Sequence, residues 1–95
     1  MAHTDQPLML LKTDLGLMSP SANQIAYLNG LLDTAASAIT REGIALVAED
    51  LEDDMLVEMY AAWLYRKRIN PEPMPRMLRF QMNNKLVSQK MKVPE

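Results

Sequence analysis

Three prolines fall within five residues, at Pro71, Pro73 and Pro75, between two segments whose apolar residues repeat at helical spacing. Each proline ring fixes φ and removes a backbone donor, so no helix runs through the stretch and the chain there is stiff. The flanking segments must meet at a fixed corner. Upstream, Met55, Leu56, Met59, Tyr60, Trp63 and Leu64 recur at i, i+1, i+4, i+5, i+8 and i+9. This predicts a helix from about Glu52 to Arg68 whose apolar arc covers roughly half its circumference, centred near Trp63. So wide an arc implies a central helix that touches two others. Asn70-Pro71 ends it. Downstream, Pro75 suits the first turn of another helix, running to about Gln89. Leu78, Met82 and Leu86 form one stripe on it, and Arg76, Arg79, Asn83 and Lys90 form a second. Phe80 and Val87 lie beside the basic stripe, where they either contact a partner or, for Phe80, fold back onto the corner.

The N-terminal half predicts two more helices. Leu8, Leu11 and Leu15 share one face of a helix from Asp5 to Leu15, with Asp5 as cap, Pro7 in the first turn and Gly16 as the stop. Ser19-Pro20 is a start signal, and Ser21 and Gln24 match a capping box for a long second helix from about Pro20 or Ala22 to Arg41, closed by Gly43. Gly30, inside it, marks either the close approach of another helix or a tolerated imperfection. Residues 44–48 are too short for a helix and have no second strand to pair with, so they read as a packed connector. The expected fold is all-α: one small four-helix domain over residues 1–95, with residues 1–5 and 90–95 mobile.

Charge is strongly polarised. Residues 1–58 hold ten acids and two bases, net −8, and residues 59–95 hold eight bases and two acids, net +6. Either the halves neutralise each other within the chain, or the positive face of one copy meets the negative face of the next, a heterologous contact that closes into a ring if the rotation allows. Nine methionines suit a core that needs filling, at Met55 and Met59, or an interface that repacks, at Met77 and Met91.

Catalytic chemistry is not expected. There is no Cys, and the one His, His3, lies near a terminus, so a nucleophile lacks a positioned base. The acids Glu49, Asp50, Glu52, Asp53 and Asp54 cluster at a helix start, where capping and the helix dipole account for them. They lack the alternating spacing and central Gly of a calcium loop. The glycines are isolated, so no phosphate loop forms. No cofactor and no structural metal are expected. No apolar run is long enough for a membrane span, and MAHTDQP lacks the order of a signal peptide, which makes a cytoplasmic product the default. The alternative function is a small helical DNA-binding regulator using the basic region 66–79. Its corner is longer than the usual helix-turn-helix turn, and the overall pI of about 5.3 is low for that role.

Three stretches carry a resemblance: LMLLKTDLGLMSPSANQIAYLNGLLDTAASAITREGI, DMLVEMYAAWLYRKR and MPRMLRFQMNNKLVSQK. Together, over roughly residues 8–90, they resemble the short head–tail connector (adaptor) proteins of siphophages and prophages of low-GC Gram-positive bacteria. Many members are longer between the second and third helices, where this chain has about eight residues. The resemblance implies a structural virion protein, made in the bacterial cytoplasm and resident at the head–tail interface. Its partners would be the portal, the next head-completion or tail protein, and copies of itself in a ring of about twelve. Non-specific contact with DNA in the channel is compatible with that role. By this analogy, Arg66, Lys67, Arg68, Arg76, Arg79, Phe80, Asp53 and Asp54 are candidates for subunit or lumen contacts, and Lys85, Val87, Lys90 and Met91 for portal docking.

Overall fold

A computed structural model describes residues 5–47 and 50–91, without the side chains of residues 5, 6 and 91. It contains four helices and, among the described residues, no strand: α1 (Asp5–Leu15), α2 (Ala22–Arg41), α3 (Leu51–Ile69) and α4 (Arg76–Met91). The termini are set by the signals in the sequence. Gly16 and Gly43 take φ of +73° and +102°, a conformation in which other residues would be strained. At the start of α2 the Gln24 N–H donates to Ser21 Oγ (3.2 Å), and the Ser21 N–H donates to Gln24 Oε1 (2.8 Å). The Asp50 carboxylate caps α3 by accepting from the Asp53 N–H at 3.1 Å. The proposed Asp5 cap, Glu49, His3 and the C-terminal tail lie outside the described residues or side chains.

Helix α3 is central, packed against α1, α2 and α4. The core joins Leu11 of α1, Leu28, Leu32, Ala35 and Ile39 of α2, Leu56, Ala61 and Trp63 of α3, and Leu78 and Met82 of α4. Each large apolar side chain fully buried this way contributes about 1.5–3 kcal/mol. Residues 44–47 act as a packed connector, with Ile44 fully buried. A side-chain amide substitutes there for a missing strand partner: Gln89 Nε2 donates to the Ala45 carbonyl (2.8 Å), and the Ala45 N–H donates to Gln89 Oε1 (2.9 Å). The domain is flat, with extents of 49 × 31 × 18 Å.

The buried surface of α3 departs from the predicted arc. It covers well over half the circumference and includes Asp53, Asp54, Val57, Glu58 and Ala62, while Met55 is exposed. The cause is that α3 is enclosed by three helices and by the connector at its first turn. Its sides are therefore buried whether or not every residue there is apolar. The core-filling role assigned to Met55 is thereby corrected, whereas Met59 packs against the core.

Gly30 is exposed, and a Cβ built on it would meet nothing within 4 Å. No helix approaches it, so it is a tolerated imperfection. Gly30→Ala should stabilise the chain by about 0.5–1 kcal/mol, raising the thermal midpoint by about 4–8 °C per kcal/mol in a domain of this size. A lowered midpoint in a circular-dichroism melt would contradict this account.

A candidate interaction surface on the last two helices

The corner is fastened from α3. Trp63 is buried, and its indole N–H donates to the Glu72 carbonyl at 3.1 Å, holding the proline stretch against the helix that precedes it. Tyr60 meets the Trp63 ring edge-on at 5.4 Å between centroids, and the Lys67 ammonium sits 4.4 Å above it. On another side of α3 the Arg68 guanidinium lies 4.9 Å from the Tyr27 ring and 5.4 Å from the Tyr65 ring. Both cations lie over aromatic faces, an arrangement worth about 0.5–1 kcal/mol each at exposed sites.

Several of the candidate bases are engaged within the chain. Arg66 pairs with Asp14 of α1 at 3.0 Å, and Arg79 pairs with Glu42 at 3.0 Å. The Lys85 ammonium lies 2.6 Å from Asp53 Oδ1 and 3.6 Å from Glu52 Oε1. Intramolecular neutralisation thus accounts for these three bases. Arg76 and Lys90 are exposed and make no ion pair among the described residues.

Asp53 and Asp54, candidates by the resemblance for contacts with a neighbour, are only 2% and 4% exposed. They are inside the fold. The first turn of α3 tucks against the connector, where Asp53 Oδ2 accepts from the Val47 N–H at 2.7 Å and the other carboxylate oxygen faces Lys85. Lys85 is likewise half-buried rather than free to dock on a partner. Of the other docking candidates, Val87 and Lys90 are exposed, and the Met91 side chain lies outside those described. Ligand atoms of Asp50, Glu52 and Asp53 lie within 4.8 Å of one another. The Lys85 ammonium already supplies a cation there.

A second carboxyl cluster has no counterpart in the sequence reading. Glu58 is 7% exposed, and its Oε2 is buried without a hydrogen-bond partner. Burial, the hydrogen bond to Asp14 and the Asp14 charge raise its pKa to about 8, against a smaller opposing pull from Arg66. The signal available in the sequence was positional. Glu58 stands one residue after Val57 and three before Ala61, on a face that α3 can only bury.

The outer face of α4 carries apolar side chains into solvent. Leu78, Met82 and Leu86 turn inward, and Met77, Phe80 and Val87 lie on the opposite side at i, i+3 and i+10, each more than half exposed. Phe80 does not fold back onto the corner. Arg76 and Lys90 flank this apolar stripe along one edge, following the 100° step per residue. No helix among the described residues is long and apolar enough to cross a membrane. Searches of protein families, curated proteins and solved structures find no match to this chain.

Proposed function

We propose that this chain is a structural, non-enzymatic interaction protein: a head–tail connector subunit that assembles as a ring below a phage portal and joins capsid to tail. The observation that carries this reading is the apolar, basic-edged face of α4, presented to solvent at a fixed angle by a corner that Trp63 fastens. Scattered exposed apolar residues need no explanation, but a helical stripe of three beside unneutralised cations favours a protein partner. The resemblance over residues 8–90 supplies the kind of assembly.

The bases left outside ion pairs set the limits of a DNA role. Lys67, Arg68 and Arg76 suit weak, salt-dependent contact with phosphates in a channel. With Arg66 and Arg79 occupied by Asp14 and Glu42, the region 66–79 has fewer cations for reading a DNA groove.

The test is to mix the chain with a siphophage portal ring and image the mixture by negative-stain electron microscopy. An added collar of density at one end of the portal is the expected result, and Arg76→Glu should weaken it while leaving the helical circular dichroism unchanged. An intact portal with no collar at saturating chain would overturn the assignment. A salt-dependent gel shift on DNA would then favour the regulator.

A further inference from the structure

The chain carries a second exposed apolar stripe, on α3. Leu51 and Met55 are exposed and Met59 is partly so, at i, i+4 and i+8, and the acids Asp50 and Glu52 stand exposed beside them. This stripe mirrors the one on α4: apolar residues along a helix edge, flanked there by carboxylates and on α4 by Arg76 and Lys90. The two cannot meet within one molecule. The α4 stripe lies on the side opposite Leu78, Met82 and Leu86, which face the chain's own core.

We infer that the α4 stripe of one copy (Met77, Phe80, Val87) docks on the α3 stripe of the next (Leu51 and Met55, with the partly buried Met59 at its inner end), with Arg76 facing Asp50 and Glu52. This names the partner surface for the proposed ring, and it rests on that reading. Three features select a second copy over a foreign partner. The charges are complementary. The apolar stripes run over similar lengths of helix. The two surfaces are unlike, so their contact is heterologous and propagates from copy to copy around a ring instead of stopping at a two-fold dimer. The methionines on both sides suit a surface that must repack as copies add.

The chain has no cysteine, so single thiols report the contact cleanly. Phe80→Cys and Met55→Cys change exposed positions, and circular dichroism verifies that each variant folds. Mildly oxidised mixtures of the two, alone at high concentration and with the portal ring, should give the mixed 80–55 disulfide about tenfold over either like-with-like product, as a heterologous contact requires. Glu52→Lys should restore the cross-linking that Arg76→Glu removes. Predominant 80–80 product would show a two-fold pairing and overturn the inference, as would the absence of 80–55 product both with and without the portal. A collar on the portal without 80–55 product leaves the connector reading standing and removes this contact. The 80–55 product without a collar does the reverse.

Discussion

Lys85→Met should cost this chain about 3 kcal/mol, the lower end of what breaking a buried ion pair costs. The ammonium lies 2.6 Å from a carboxylate that is 2% exposed, so removing it strands the Asp53 charge inside the fold. Methionine keeps the length of the aliphatic stem, which separates the charge from the packing. Asp53 retains the Val47 N–H, and Lys85 itself is partly exposed, so the loss stays near the lower bound. Against a typical total of about 5–15 kcal/mol, one substitution removes a large share of the stability. The double variant Asp53→Asn/Lys85→Met should recover part of the loss, because the stranded charge is gone. Urea denaturation of the four chains in the cycle measures this. A single-variant loss below about 0.5 kcal/mol would mean the pair behaves as a surface salt bridge. Asp53 raises the Lys85 pKa above its ordinary 10.5. The stabilisation is therefore complete below that value and is lost only as pH climbs through the raised one.

The second large effect has the same sign but falls in a lower pH window. The Glu58 pKa rises from 4.5 to about 8 in the folded chain. Between those values the folded state holds a proton that the unfolded state has released. Stability therefore falls as pH rises through this window, by up to about 1.4 kcal/mol per pH unit for a single group. Glu58→Gln keeps the shape and a hydrogen-bond donor for Asp14 but does not titrate. Its stability should vary less with pH than that of the parent chain, and its advantage should grow from the acid edge of the window to the alkaline edge. Thermal melts of both chains across the window test this. Parallel curves would show that Glu58 ionises as freely in the folded chain as in the unfolded one.

Helix positions were legible because their signals are local. The Ser21–Gln24 box, the stops at Gly16 and Gly43 and the proline corner act within a few residues, and the boundaries of α3 fall within about one residue of the expected ones and those of α2 within about two. What surrounds α3 was not legible. At Asp53 and Asp54, capping and the helix dipole already explain acids in a first turn, so nothing local distinguishes a solvated carboxylate from a buried one. The partners are distant in sequence: Arg66 reaches Asp14 across 52 positions and Arg79 reaches Glu42 across 37. Charge polarity between the halves was visible, but which bases it consumes depends on where α1 and α4 lie on α3. The exposed stripe on α4 was readable from spacing at Phe80 and Val87. Its counterpart on α3 was concealed because Met55 fits a core arc as well as it fits a surface.

Trp63 is the chain's one tryptophan, and besides its place in the core it touches the corner and its approach through the Glu72 carbonyl, the Lys67 ammonium and the Tyr60 ring. The emission of an indole depends on its hydrogen bond, on nearby charge and on access of water. The chain therefore contains an optical gauge of whether its last helix is seated. Its fluorescence follows that seating without a label, even in a mixture with much larger components, provided they lack tryptophan.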